Sequence, residues 1–399
     1  MDKSSVSLYL LMIGCMYVVL GFSIGINAYF IPFVQEAFTV TRAVSYLIMT
    51  ATFSAYVFFA LPAERIIRSI GYKKSIFTSF LILAIGFFLI GYSASVVSFP
   101  VFLCSLFVLG IAQTLLTDAI NSYVTILGPT RSAARRISMM GIADKLALAS
   151  ASLLLALFLD LSQVNLDDAI LPFYLIAVFA LLIGFLVYFS PLPELSAQGE
   201  EMDSSVINQQ VYGNLKQNIF QIPHLYLGAI AIFFDVGVEI IALGSINDYA
   251  NALGLSHPEF YVWYTTLAMV LGYSMGIGFI PKRLSQQQGL TICACLGIFF
   301  TGLIVFSPER LSIYLVAFLG FANSLLWPTI FPLALTDLGR FTKKGASFLV
   351  MGIIGGAFLP LFFGFSAEKW NYQHAYLICL PAYLYILFYA RVGSQIRTV

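Results

Sequence analysis

Long apolar segments alternate with short polar segments along most of the chain. A helix rises about 1.5 Å per residue, so about 20 apolar residues cross a hydrocarbon core of about 30 Å. By this measure the 399-residue sequence predicts twelve membrane-spanning helices. The predicted spans are 8–32, 45–62, 75–94, 100–126, 137–160, 170–190, 223–246, 260–280, 289–306, 312–337, 346–366 and 371–391.

One long polar segment, residues 191–222, interrupts the apolar pattern after the sixth span. It contains four acidic residues and a run of Ser, Asn and Gln. Such a composition is typical of a linker between packed units. The sequence therefore predicts a six-helix half over 1–190, a cytoplasmic linker over 191–222, and a second six-helix half with a short cytoplasmic tail over 223–399.

Composition agrees with a membrane environment. Hydrophobic residues make up 60% of the chain and charged residues 10%, whereas soluble proteins carry about 25% charged residues. Lipid must therefore face most of the exterior, and we expect an integral membrane protein. The net charge of +1 indicates no nucleic-acid partner. The first apolar segment is too long for a signal peptide, so we interpret it as a retained span.

The distribution of basic residues tests the predicted topology. With twelve spans and a cytoplasmic N-terminus, sixteen of the twenty Lys and Arg residues lie in cytoplasmic segments. Only Arg42, Arg310 and Lys369 lie in outer loops, and Lys145 lies inside a span. Because Lys and Arg concentrate on the cytoplasmic side of membrane proteins, this asymmetry favours an even number of spans with both termini inside.

The two halves resemble each other in sequence. The fourth and the tenth spans both end in Leu-Gly, and each is followed by a basic segment, 131–136 and 340–344. Basic residues also follow the second span of each half, at 65–74 and 282–283. This pattern predicts a parallel six-plus-six repeat, in which a solute site lies at the midplane between the halves.

Five charged residues lie inside predicted spans and away from the span ends. A charge at the bilayer centre costs at least about 2.5–3.5 kcal/mol, so it normally faces a cavity or a partner. These residues are candidates for solute binding or proton coupling: Asp118, Asp144, Lys145, Asp235 and Glu239.

Asp118 and Asp144 have similar predicted depths, in the fourth and fifth spans. Lys145 is about 100° around the helix from Asp144, so we expect the two not to face each other, and Lys145 could pair with Asp118 instead. A structural ion pair and a proton relay are both compatible with this pattern. A carboxyl group in low dielectric can load and release protons near neutral pH.

Asp235 and Glu239 lie four residues apart in the seventh span, hence on one helix face. No basic residue lies elsewhere in the predicted spans of the second half. Because two unpaired carboxylates would repel, at least one should be protonated or bound to a solute or a cation. We interpret the pair as functional, with proton coupling as the first reading and a sodium site as an alternative.

Neutral polar residues complete the predicted solute site. Each of them could equally form an interhelical hydrogen bond or a packing contact. Together with Lys145 and Glu239 the candidates are Asn27, Gln113, Asn121, Asn323 and Trp327. Glycines of the eleventh span, Gly352, Gly355 and Gly356, predict a close helix contact.

Several function classes have no support in the sequence. It contains no G-x-x-x-x-G-K-[ST] motif, so direct ATP-driven pumping is not expected. The three histidines lie far apart, and no Ser-His-Asp arrangement or metal cluster is present, which argues against an enzyme. The five cysteines lie in apolar segments and fit small buried residues. We expect no cofactor and no metal.

Three segments resemble a known family. They are N-S-Y-V-T-I-L-G-P at 121–129, W-P-T-I-F at 327–331 with Leu338-Gly339, and G-A-S-F-L-V-M-G-I-I-G-G at 345–356. They are similar to the fucose permease and glucose/galactose permease branch of the major facilitator superfamily, and I-P-F-V-Q-E-A-F at 31–38 fits as well. The resemblance implies an all-α membrane protein with twelve helices in two pseudo-symmetric halves, and sugar–proton symport by alternating access.

The family's site residues carry over only in part. The resemblance places an asparagine on Asn27 but Ala28 on the following acidic position, and it places the fourth-span acid on Thr117, one residue before Asp118. The fifth-span Gln and Asn fall on Gly141 and Asp144. Glu239 matches a polar position, whereas Asp235 replaces an aromatic residue and Lys145 a small one. Lys145 could accept an anionic or modified sugar, and Asp235 with Glu239 could accept an amino group, so a sugar derivative is an alternative to a simple hexose.

The sequence predicts a secondary transporter that imports a sugar or a sugar derivative. Protons are the expected coupling ion, and sodium is the alternative. An exporter, a non-sugar transporter and a non-transporting membrane sensor are the other readings. We expect a monomer in the bacterial cytoplasmic membrane, with a small solute and the lipid bilayer as its partners.

Overall fold

The structure is a computed structural model that describes residues 3–38, 47–156, 165–195 and 212–397. Within these ranges the regular structure is helical, without strands. The helices are α1 (Lys3–Ala37), α2 (Leu47–Ser95), α3 (Phe99–Ile126), α4 (Ala133–Ala156), α5 (Asp167–Phe189), α6 (Pro223–Ala252), α7 (Tyr261–Phe279), α8 (Gln286–Phe306), α9 (Glu309–Asn323), α10 (Leu326–Leu335), α11 (Thr342–Val350), α12 (Gly355–Lys369), α13 (Tyr372–Ala375) and α14 (Cys379–Arg391).

Eleven helical segments of the described chain are long and apolar enough to cross a membrane. One of them, α2, has 49 residues, which at 1.5 Å per residue is roughly twice the thickness of a hydrocarbon core. Its backbone is non-helical at Gly71, where φ is 81° and ψ is 174°. Helix α2 therefore comprises two spans, which match the predicted 45–62 and 75–94, and the count becomes twelve.

The exterior of the described helices is apolar, as the composition predicts. On α5, Leu171, Leu186 and Phe189 are 66%, 71% and 79% exposed. Exposure of these side chains to water would be unfavourable, whereas lipid tails solvate them. A helix also provides hydrogen-bond partners for its own backbone groups, and hydrocarbon offers these groups no partner.

The chain packs into two compact units. The first comprises Met1–Tyr123 and Leu146–Leu195, and the second comprises Val124–Lys145 and Ser196–Val399. In the first unit α2 packs along α5, and in the second α6 packs against α9, α10, α12 and α14. This grouping by packing differs from the predicted halves 1–190 and 223–399, which stay a prediction. Half of the predicted linker, residues 196–211, lies outside the described residues.

Glycines bring the eleventh span against the backbone of α6, as their spacing predicts. A Cβ atom at Gly352 would lie 2.6 Å from the carbonyl oxygen of Ala229. One turn later, Gly355 lies against the carbonyl of Phe233. Any larger residue would push the two helices apart, so both glycines are required by packing.

The break in α2 is closed by an acidic residue from the end of the sixth span. After Gly71, the backbone N–H groups of Tyr72 and Lys73 donate to the carboxylate of Glu194. The Lys73 ammonium donates to the carbonyl oxygen of Ser190 at 2.7 Å. A carboxylate is favourable there because it accepts from the unpaired N–H groups at a helix N-terminus and complements the helix dipole.

The backbone at Gly71 makes this residue irreplaceable. An L-residue at that positive φ costs about 1–2 kcal/mol, and its Cβ would lie 2.6 Å from the Glu194 carboxyl carbon. We expect Gly71→Ala to destabilise the protein by at least about 1 kcal/mol in thermal unfolding of the detergent-purified protein.

Gly302, inside α8, is the matched control, since an added Cβ there meets nothing within 4 Å. Gly302→Ala should be neutral or stabilising, because Ala is about 0.5–1 kcal/mol better than Gly inside a helix. Equal effects of the two substitutions would contradict the role assigned to the break.

Candidate functional site

A buried ion pair joins the middle of α4 to α6. The Lys145 ammonium lies 2.7 Å from the Glu239 carboxylate oxygen Oε1 and 2.9 Å from Asp144 Oδ2. The side chain of Lys145 is 13% exposed, and those of Asp144 and Glu239 are 11% and 9% exposed. One ammonium group thus pairs with two carboxylates, one on α4 and one on α6.

This arrangement corrects two sequence expectations. Lys145 and Asp144 were expected not to face each other, but they form an ion pair, because the long Lys side chain curls back toward its neighbour. Lys145 was also a candidate partner of Asp118, whereas its ammonium is held by Glu239 and Asp144. The seventh-span pair does have a nearby cation, and it comes from the fifth span.

Asp235 lies one helical turn before Glu239 and is completely buried. Neither of its carboxylate oxygens has a hydrogen-bond partner among the described residues. Glu239 and Lys145 are both within range of electrostatic interaction with it. An isolated carboxylate in an apolar environment is strongly unfavourable, so this group requires a proton, a solute or a cation.

Tyr273 of α7 belongs to the same cluster, although no sequence pattern indicated it. Its side chain is buried and interacts electrostatically with Lys145, Glu239, Asp144 and Asp235. Its ring lies against α4, where a Cβ at Gly141 would be 2.7 Å from the Tyr273 ring carbon Cζ. The small residue at 141, in place of the family's Gln, makes room for the phenol.

Asn323 is fixed by hydrogen bonds on both sides of its amide. Its Oδ1 accepts from the Tyr383 hydroxyl at 2.7 Å, and its Nδ2 donates to the Val238 carbonyl at 3.4 Å. Asn323 therefore connects α14 to α6 at the residue before Glu239. Helix α9 ends at Asn323, and α10 begins three residues later with Trp327 in its first turn. The Trp327 ring stacks on Phe331 with 5.5 Å between centroids.

The remaining candidates lie in the first unit. On α3, Asn121 accepts from the Tyr17 hydroxyl at 2.7 Å. Gln113 donates to the Ser23 hydroxyl at 3.1 Å, and Asp118 accepts from Ser122 at 3.4 Å. The amides thus hold α1 against α3. Asn27 belongs to α1, but its side chain lies outside the described part of the structure.

The cluster of Asp144, Lys145, Asp235 and Glu239 can exchange protons but does not resemble a metal centre. It holds three carboxyl groups and one ammonium group, so full ionisation would leave a net charge of −2 in low dielectric. Among the described residues, no group of three or more His, Cys, Asp or Glu is placed to hold a metal ion. The arrangement is therefore suited to binding protons or a solute with polar groups.

The ion pair predicts an unequal effect of its two partners on stability. Lys145→Met leaves the carboxyl groups without a cation, and breaking a buried pair in this way costs about 3–5 kcal/mol. Glu239→Gln should cost less, because Lys145 keeps Asp144. The measurement is thermal unfolding in detergent.

The double variant Lys145→Met with Glu239→Gln should be more stable than Lys145→Met alone, since it carries one carboxylate fewer. Lys282→Met, at an exposed loop position, is the control for loss of a lysine and should leave stability unchanged. Strictly additive losses in the double variant would show that Lys145 and Glu239 do not interact.

Relatives with known names match nearly the whole chain. A glucose/galactose transporter of Brucella abortus is 30% identical over 388 residues, which are 94% of this chain and 91% of that protein. A putative glucose/galactose transporter of Helicobacter pylori is 29% identical over 417 residues, covering 99% of both chains. The L-fucose-proton symporter of Escherichia coli is 25% identical over 399 residues, covering 94% and 90%. These relatives are transporters and not enzymes, as the sequence predicted.

Solved structures share the fold. The crystal structure of FucP, a major facilitator superfamily transporter in the outward conformation, matches with a TM-score of 0.80 at 22% identity, covering 98% of this chain and all of the other. The match confirms the predicted all-helical architecture and, with the named relatives, the resemblance to the sugar-permease branch. A family model described as Major Facilitator Superfamily matches residues 13–350. The chain belongs to the Major Facilitator Superfamily.

Proposed function

We propose that this chain is a secondary active transporter that imports a sugar or a sugar derivative by proton symport with alternating access. The observation that carries the proposal is the buried Lys145–Glu239 ion pair beside the unpartnered Asp235. The names of the relatives, which are glucose/galactose transporters and a fucose–proton symporter, support sugar as the solute and the proton as the coupling ion.

The coupling would depend on the protonation of Glu239. Ionised Glu239 holds the Lys145 ammonium at 2.7 Å, and the pair joins α4 to α6. A proton on Glu239 removes its charge and weakens the pair, so the two helices can separate. A sugar hydroxyl can then hydrogen-bond the groups that the pair occupied, and desolvation of these groups is compensated. Protonation and solute binding thus favour the same change.

Asp235 provides the second protonatable group of this mechanism. It is buried one turn from Glu239 and has no hydrogen-bond partner among the described residues. A proton can move between the two carboxyl groups along one helix face, because residues four apart are neighbours there. A sodium ion would need several oxygen ligands, and the Lys145 ammonium already occupies the centre of the cluster, which favours the proton as the coupling ion.

We further propose a monomer in a bacterial cytoplasmic membrane with both termini inside. The named relatives are bacterial proteins, and sixteen of the twenty basic residues follow the inside rule for that topology. The cluster is built from one chain, so a single copy holds all of its charged groups.

Proton coupling is tested by uptake into proteoliposomes with an acidic exterior. Labelled glucose, galactose and fucose are the first solutes, and accumulation should follow the imposed pH gradient. Glu239→Gln should lose accumulation but keep exchange of solute at equal concentrations, because it mimics the protonated state without releasing a proton.

Glu368→Gln, an exposed carboxyl near the end of α12, is the matched control and should behave like the wild type. The proton assignment would be wrong if full gradient-driven accumulation persisted in each of four variants: Glu239→Gln, Asp235→Asn, Asp144→Asn and Asp118→Asn. Accumulation that follows a sodium gradient and ignores pH would favour the cation alternative.

The charge of the cluster predicts which sugar derivatives are accepted. The Lys145 ammonium is already paired with Glu239 and Asp144, so an anionic sugar would add a further negative charge to a buried site that holds more carboxyl groups than cations. Neutral sugars and amino sugars should therefore compete for uptake of the labelled solute, and sugar acids should not. Competition in counterflow against such a panel, with amphipathic cations included, gives the answer. Strong inhibition by sugar acids alone would contradict the charge argument, and inhibition only by the cations would indicate a non-sugar transporter.

A further inference from the structure

An apolar groove lies in the second unit, away from the charged cluster, between α7, α8 and the end of α9. Its volume is about 430 Å³. Three glycines line it, Gly272 and Gly276 one turn apart on α7 and Gly289 in the first turn of α8. Except for Ser324 and Arg283, the lining side chains are apolar. The hydroxyl of Ser324 donates to the Phe321 carbonyl at 2.7 Å, so it does not need a hydrogen-bond acceptor from a bound molecule.

The mouth of the groove faces the hydrocarbon side of the protein. Met275 and Ile292 line it from the two opposing helices and are 44% and 45% exposed. Exposed apolar side chains in the middle of membrane-spanning helices contact lipid tails. The occupant therefore enters from the bilayer, and an apolar groove of this kind favours a hydrocarbon chain over water.

One end of the groove carries a cation. Arg283, in the short loop between α7 and α8, lines the groove, and its guanidinium lies over the Phe279 ring at 5.8 Å from the centroid. It has no carboxylate partner at ion-pair distance among the described residues. A guanidinium group matches the geometry of a phosphate group and binds it through paired hydrogen bonds.

The length and the position of the groove fit one leaflet. Along α8 its lining extends from Gly289 to Leu296, and seven residue steps of helix rise about 10 Å, which fits within half of a hydrocarbon core. The loop with Arg283 lies on the predicted cytoplasmic side, where anionic lipids concentrate. Charge and shape thus point to the same ligand.

We propose that this groove binds one acyl chain of an anionic phospholipid of the cytoplasmic leaflet, with its phosphate held by Arg283. The site lies behind Tyr273, which follows Gly272 on α7, and Cys293 on its wall interacts electrostatically with Asp235. A bound chain fills the gap between α7 and α8, which both pack on α9.

The site is tested by thermal unfolding of delipidated, detergent-purified protein. Phosphatidylglycerol should raise the unfolding temperature in a saturable manner, since a ligand that binds the native state stabilises it. Phosphatidylcholine with the same acyl chains should have a much smaller effect. Native mass spectrometry should show one retained phosphatidylglycerol for each chain.

Two pairs of variants separate the headgroup contact from the groove. Arg283→Gln should raise the half-saturating phosphatidylglycerol concentration about ten-fold, the expected loss for a charge-assisted hydrogen bond. Lys282→Gln, next to it but outside the lining, should not. Ile292→Trp should block the groove and abolish retention of the lipid, whereas Phe299→Trp, an exposed residue on the same helix outside the groove, should leave it intact.

Equal stabilisation by phosphatidylcholine, or equal effects of Arg283→Gln and Lys282→Gln, would overturn the proposal. Stabilisation by glycerol 3-phosphate, which has no acyl chain, would also overturn it and would indicate a site for free phosphate. Retention of the lipid in Ile292→Trp would show that it binds elsewhere. None of these measurements uses transport, so they are independent of the proposed symport.

Discussion

The inability of hydrocarbon to solvate charge is the constraint on which the site depends. Lys145 can remain charged inside α4 only because Glu239 and Asp144 supply carboxylates within 3 Å. The same contact joins α4 to α6. Close to it, the Tyr273 ring lies against Gly141, and the buried Asp235 carboxyl has no hydrogen-bond partner among the described residues. One ammonium group therefore organises both the packing and the proton chemistry of the cluster.

The same constraint applies to the backbone and explains where the helices are interrupted. A break inside a membrane is tolerated only where other groups satisfy or shield the freed polar atoms. At Gly71, near a predicted cytoplasmic end, the carboxylate of Glu194 accepts from the exposed N–H groups. Between α9 and α10, the hydroxyl of Ser324 returns to the Phe321 carbonyl, and Asn323 bridges α6 and α14. Both breaks are thus local exceptions that specific side chains permit.

The spans and the fold could be predicted from the sequence because they depend on local composition, which a single chain displays directly. The pairing of Lys145 could not, since it depends on how far a flexible side chain reaches. Helical geometry separates the Cβ atoms of Asp144 and Lys145 by about 100°, but four methylene groups carry the ammonium back across that angle. Tyr273 gave no signal because its helix is rich in aromatic residues. The position of Tyr273 becomes clear only in the structure, where its ring occupies the space beside Gly141.

The site indicates how a scaffold of this family could support the proposed proton coupling without its usual first-span acidic residue. Coupling requires a carboxyl group in low dielectric, a route for its proton, and a charged partner that responds to its protonation. These requirements do not determine which helix must carry the carboxyl group. In this chain the first span has Ala28 at the position where the resemblance places an acid. Helix α6 instead carries two buried carboxyl groups, and α4 carries the Lys145 ammonium that pairs with Glu239. Since buried carboxyl groups and a cation partner are present at the new positions, the charge arrangement, rather than the sequence position of one acid, is the property on which the proposed coupling would depend.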